Sequence, residues 1–152
     1  MAKSRIGAID KEFRTRIVPT LLSWGFTRHP NDETDYGRSQ FGYTYEFADL
    51  SNLNNVKLCA CSIYTKDASI MVEMDKGICI ADNSAEVPTL FQINRNTYIL
   101  RRSRNLKNFL KYLIDVSFRL ERRKNEALES AAARLIDDLE KEMPKAKKYL
   151  YG

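Results

Sequence analysis

The stretch QFGYTYEFADLSNLNNVKLCACSIYTKDASIMVEMDKGICI, Gln40 to Ile80, decides the fold. Its apolar residues recur at every second position, the period of a strand with one buried face. Phe41, Tyr43, Tyr45 and Phe47 share one face, and Gln40, Thr44 and Glu46 share the other. In the next run Cys59, Cys61 and Ile63 point the same way. In the third, Ile70, Val72, Met74 and Ile78 oppose Met71, Glu73 and Asp75. The links SNLNN and TKDAS are short and rich in turn residues, which predicts consecutive strands joined as an antiparallel meander. A fourth strand is expected near Asn96 to Leu100. Aromatics on one strand face read as core packed under a helix, in preference to a platform for stacking bases.

Helical patterns flank the meander. Ile6, Ile9, Phe13, Ile17, Leu21 and Leu22 predict a helix from Arg5 to Ser23, with Pro19 as a kink or new turn and Gly25 as its end. TRHPNDETDYGRS, residues 27–39, reads as an exposed loop. Its His29, Asp32, Glu33 and Asp35 lack the fixed ligand spacing of a calcium or magnesium loop. From Ser103 to Met143 there is neither glycine nor proline. Leu106, Phe109, Leu110, Leu113, Val116 and Leu120 make one stripe at helical spacing, and Ala127, Leu128, Ala131, Leu135 and Leu139 make another. The stripes are offset by about 60°, so one rod of about 60 Å and two helices bent near RRKNE both fit. Pro144 is expected to end the helix and leave residues 144–152 as a basic tail. The predicted fold class is α+β, one domain over residues 1–143: an N-terminal helix, a three- or four-stranded antiparallel meander, and a long C-terminal helix or helical pair.

The totals exclude several classes. A chain of 152 residues suits one domain with a proper core. No apolar run approaches the roughly 20 residues that cross a bilayer, and the first residues form no continuous hydrophobic segment, so a cytoplasmic setting without a membrane partner is expected. Cys59, Cys61 and Cys79 are an odd set. The first two, as strand neighbours two apart, sit about 6.6 to 6.8 Å apart, at or past the usual disulfide span, and read as reduced buried thiols. Neither they nor the only histidine, His29, has zinc-site spacing, so no metal and no cofactor is expected.

Charge is the uneven feature. Residues 95–125 hold ten Lys and Arg against two acids, in a chain whose formal net charge is only +5. If Ser103 caps a helix, Arg104, Lys107, Lys111, Arg119 and Arg122 fall on one arc opposite the apolar stripe, over about 27 Å. Arg101, Arg102, Arg104 and Lys107 would crowd its N-terminus, where cations are disfavoured by about 0.3 to 1 kcal/mol each and an anion is the natural complement.

The resulting expectation is a small non-enzymatic protein that binds a polyanion, nucleic acid above all. Arg101, Arg102, Arg104, Lys107, Lys111, Arg119 and Arg122 are its candidate contacts, without base-specific readout. One alternative is a protein-interaction module that docks an acidic partner or forms a homodimer through the 127–139 stripe. A second is a Mg-dependent nuclease-like enzyme built on Glu46, Glu73 and Asp75, which a strand-and-hairpin arrangement would bring near one another. The order helix–three strands–helix is shared with the double-stranded-RNA-binding domain. That family's glycine and lysine pattern before the last helix is absent here, a segment of about twenty residues standing in its place, so the order carries no family assignment.

Overall fold

The computed structural model describes residues 4–80, 86–93, 96–103 and 117–152. The Ser4 hydroxyl accepts the Gly7 N–H at 3.1 Å and starts α1 (Arg5–Glu12). A π-helical turn (Phe13–Ile17) leads into α2 (Val18–Ser23). Pro19, near the start of α2, has no N–H to offer the preceding turn, and a widened turn just before it absorbs that loss without breaking the rod. Ile6, Ile9, Phe13, Ile17 and Leu21 therefore stay on one buried face. Gly25, at φ +105°, ends α2 with a paired closure: its N–H donates to the Leu22 carbonyl and the Phe26 N–H to the Leu21 carbonyl.

Among the described residues seven strands form one antiparallel sheet. Its centre is the expected meander: β3 (Gly42–Asp49), β4 (Val56–Tyr64) and β5 (Ser69–Ile78). The strand number exceeds three or four because each outer edge of the meander carries two short strands. β1 (Thr27–Arg28) and β2 (Tyr36–Ser39) both pair with β3, and β6 (Tyr98–Ile99) and β7 (Phe118–Arg119) both pair with β5. Short strands are a common way to finish a sheet edge.

One sheet face carries Tyr45, Phe47, Cys59, Cys61, Ile63, Ile70, Val72 and Met74, all buried under the helices. Phe41 does not join them; it lies in the turn before β3 and is 62% exposed. The opposite face holds a smaller cluster, Ala48, Val56 and Leu58, covered by Ile78, Ile80, Val87 and Ile93. Ile78 reaches that side, away from Met74, because the β4–β5 register shifts between Val56 and Leu58 and Gly77 takes φ +74°.

The C-terminal half departs most from expectation. The long helix is α4 (Leu128–Tyr151), and residues 117–127 are not helical, so a rod from Ser103 to Met143 does not form. Phe118 and Leu120 are buried while Arg119 between them is exposed, a period of two that the helical stripe concealed. Asn125, at φ +59°, sits in the turn before α4, a conformation that asparagine tolerates better than most residues. Nor does Pro144 end α4. It lies on the exposed side, while Ala131, Leu135, Leu139, Met143, Ala146 and Leu150 bury the other side against the sheet and α1. Burial of Ala146 and Leu150 offsets the missing hydrogen bond, and the expected tail is the end of the helix. Arg16 fastens the layers, reaching Asp137 at 2.5 Å, the Ala133 carbonyl at 3.3 Å and the Glu140 carboxylate.

Two glycines test this packing. A Cβ on Gly42, at φ +145°, would stand 1.9 Å from the Ile63 carbonyl oxygen, whereas one on Gly37, at φ +138°, would meet nothing within 4 Å. Both substitutions carry backbone strain of order 1–3 kcal/mol, and only the first adds a collision with a central strand. Urea unfolding followed by circular dichroism should show Gly42→Ala losing at least about 3 kcal/mol and Gly37→Ala about 1 kcal/mol.

Candidate functional site

Strand β5 presents a hydrogen-bonding edge that the chain occupies in two visits. In β6, Tyr98 pairs with Met74 and Ile99 with Glu73, and the Leu100 N–H donates to the Val72 carbonyl at 3.0 Å. In β7, Phe118 pairs with Ile70 and Arg119 with Ser69, and the Leu120 N–H donates to the Ala68 carbonyl at 2.9 Å. Both strands run the same way along one edge, so the chain departs after Leu100 and is back beside the same strand at Phe118. Arg104, Lys107 and Lys111 belong to this interval and lie outside the described residues. Arg101, Arg102, Arg119 and Arg122 are described, and none of them is on α4.

Their surroundings differ. Arg102 is structural: its side chain is 11% exposed, bridges to Asp138 at 3.2 Å and lies over the Phe118 ring at 5.5 Å. Arg119 bridges to Asp67 at 3.2 Å. Arg122 donates to the Glu126 carbonyl through Nε at 3.2 Å and Nη2 at 2.7 Å. Arg101 is exposed and lines a cavity of about 390 Å³ with Arg102, Lys145, Tyr98, Ile99 and Thr97.

Helix α4 supplies the other wall. Glu142 accepts the Ser103 N–H at 2.8 Å, the Ser103 hydroxyl at 3.1 Å and the Lys145 ammonium at 2.5 Å, and so ties the end of the β6 segment to the helix. Lys141 stands 3.5 Å from Asp138. Two carboxylates thus serve Arg101, Arg102, Lys141 and Lys145, and a positive excess remains. Beside the cavity the Tyr98 and Tyr149 rings stack at 4.5 Å and 14°. The Lys76 ammonium sits 4.7 Å from the centre of the Tyr149 ring and donates to the Tyr149 carbonyl at 2.5 Å. Burial raises the Tyr149 phenol above its ordinary value.

The carboxylates of the nuclease alternative lie on the opposite sheet face. Glu46 and Glu73 both stand opposite Ala60, with β4 between them, and Asp75 stands opposite Leu58. Strand spacing then puts about 9.5 Å between the Glu46 and Glu73 backbones. Glu46 and Glu73 line a groove of about 450 Å³ with Thr44, Ser62 and Phe91. Burial raises the Glu73 carboxyl. Among the described residues no group of three or more His, Cys, Asp or Glu is placed to hold a metal ion. The loop acids are likewise apart from one another's chemistry: His29 is buried, accepts the Asn31 N–H through Nδ1 at 3.1 Å and faces the Pro88 carbonyl through Nε2 at 3.3 Å. Cys59 and Cys61 are free thiols with sulfurs 3.8 Å apart, and the Cys59 contact together with burial pushes the Cys61 thiol up.

Sequence reasoning missed Lys141, Lys145 and Tyr98 as neighbours of Arg101. Lys141 and Lys145 recur at i and i+4, a helical signal that crosses Pro144 and was cut there. No family model, curated protein or solved structure matches this chain.

The tie at Glu142 has a consequence in acid. Burial works to raise its carboxyl, and the hydrogen bonds from Lys145 and Ser103 outweigh that, holding it below the usual 4.5. Arg134 and the Arg123 N–H hold the exposed Glu126 at about 2. A carboxyl depressed by folding contributes stability that is present above its unfolded value and lost as pH falls through the folded one. Urea midpoints should therefore hold at neutral pH and fall from about pH 4.5 downward. Glu142→Gln should cost about 1–3 kcal/mol at pH 7 and make the acid loss shallower. An unchanged acid profile in that variant would remove Glu142 from the account.

Proposed function

We propose that this protein binds a polyanion, nucleic acid above all, through the cationic surface along the outer edge of β5 and the adjoining face of α4. The observation that carries the reading is the concentration of ten Lys and Arg against two acids in residues 95–125 of a chain with net charge +5. Around the cavity the local carboxylates are outnumbered, and Arg101 and the 49%-exposed Lys145 side chain retain access to solvent. Phosphates are the matching ligand: the guanidinium fork and the ammonium bind them without reading sequence. The contacts assigned are Arg101, Lys145 and Arg122, with Arg104, Lys107 and Lys111 as further members of the same basic interval. Arg102 and Arg119 hold the scaffold through Asp138 and Asp67. No catalytic role is assigned, and the proposed setting is cytoplasmic, where Cys59 and Cys61 stay reduced.

The interaction-module alternative loses its surface. Ala131, Leu135 and Leu139 of the 127–139 stripe are at most 2% exposed, buried in the chain's own core rather than offered to a second copy. No helix among the described residues is long and apolar enough to cross a membrane.

Titration of fluorescent single-stranded and duplex oligonucleotides across a salt series tests the proposal. Affinity should fall linearly on a log–log plot, because each neutralised phosphate releases condensed counterions. Arg101→Gln with Lys145→Gln should reduce that slope by about 1.5 to 2, from roughly 0.7 to 0.9 per phosphate lost. Absence of binding to either form at low salt would end the polyanion reading.

A further inference from the structure

We infer that the cavity between β6 and α4 takes one nucleotide unit of a single strand, with its base against Tyr98 and its phosphate between Arg101 and Lys145. This rests on the polyanion reading and adds to it a ligand form, an unpaired strand, and a contact that is not electrostatic. A binding surface made of charge alone would present cations and nothing else. Here a partly exposed tyrosine lines the same cavity as Arg101 and Lys145, and the opening of about 390 Å³ lies within the range of small-molecule sites.

The tyrosine is already positioned. Tyr98 is held in β6 by pairing with Met74 and is stacked at 4.5 Å on Tyr149, which Lys76 covers in turn. A ring fixed before the ligand arrives loses little rotamer freedom on binding, so more of the stacking energy appears as affinity. Stacking on an aromatic needs a base whose face is free, a condition met by a single strand and not by a duplex. It is also indifferent to base identity, in keeping with the lack of side chains arranged for base-edge readout. The two cations differ from the buried Arg102 in just the way a ligand contact requires: they border the cavity and keep solvent access, while Arg102 is held by Asp138.

Three labelled probes of equal length separate the contributions at one salt concentration: oligothymidylate, the same backbone with abasic sites throughout, and a duplex. The full-length protein should bind oligothymidylate about ten-fold or more tighter than the abasic strand, the effect of stacking at least one base. Tyr98→Phe should keep that ratio. Tyr98→Leu should bring it close to one without altering the salt slope, since no phosphate contact is removed. Thermal melting of both variants shows whether β6 survives, and the comparison of thymidylate with abasic strand in the unaltered protein needs no variant. Equal affinity for those two strands, or duplex binding as tight as thymidylate, would overturn the nucleotide site while leaving polyanion binding in place. Failure to bind all three at low salt would instead remove the reading on which it rests.

Discussion

The outer edge of β5 is the constraint on which the rest of this structure turns. A long central strand with an open edge exposes a row of amides and carbonyls that must be hydrated, covered or paired. Here the edge is paired piecewise, by Tyr98–Ile99 opposite Met74 and Glu73 and by Phe118–Arg119 opposite Ile70 and Ser69. The chain between these two visits is thereby pinned at both ends to one strand. That pinning rules out a helix running unbroken from Ser103, because Phe118 and Leu120 must alternate inward as strand residues do. It also gathers the basic interval: Arg101 and Arg102 follow one visit and Arg119 and Arg122 the other, so residues far apart in sequence share a neighbourhood.

Helix α4 is the second half of that arrangement. It lies over the sheet with an apolar side from Ala131 to Leu150, and its polar side meets the residues just past β6. Glu142 holds Ser103, and Asp138 holds Arg102. Each carboxylate is a partner to a structural group and to a lysine on its own helix, Lys145 for Glu142 and Lys141 for Asp138. Such pairs at a surface contribute little on their own. Their effect here is positional: they fix the distance between the β6 segment and α4, and with it the width of the cavity between Tyr98 and Lys145.

The meander was legible because its alternation is clean over three strands and its turns are short. The N-terminal helix was legible for the same kind of reason, and the π turn at Phe13–Ile17 leaves its buried stripe intact. The C-terminal half misled because two periods coexist in it. Val116 and Leu120 satisfy helical spacing, while Phe118 and Leu120 satisfy strand spacing, and only the vacant edge of β5 decides between them. Local pattern contains no record of that edge. Pro144 misled for a different reason: its penalty, about 3 kcal/mol in a helix interior, is a local quantity. Burial of Ala146 and Leu150 beyond it is tertiary and acts against that penalty. The site inherits both errors. Its cations were recognised as a set, but assigned to a helix face, and Lys145 was assigned to a tail.

This separation of structural from available charge bears on why the basic interval persists in the folded state without a ligand. Ten cations held close together repel one another, and a fold can tolerate them if some are neutralised internally and the remainder face water. Arg102 and Arg119 are matched to Asp138 and Asp67, which lowers the local field enough for β6 and β7 to stay beside β5. Arg101 faces solvent, and Lys145, though joined to Glu142, leaves about half of its side chain exposed. A phosphate arriving between them would meet cations whose spacing is set by the sheet and by α4 and so would not have to assemble its own site. The same arrangement limits affinity, because Glu142 remains a negative neighbour within reach of Lys145 and must be outweighed by the strand's other contacts. Weak capture at each point, strengthened by repetition along a polymer, is the behaviour that a mixed-charge edge of this kind favours over tight binding of one isolated anion.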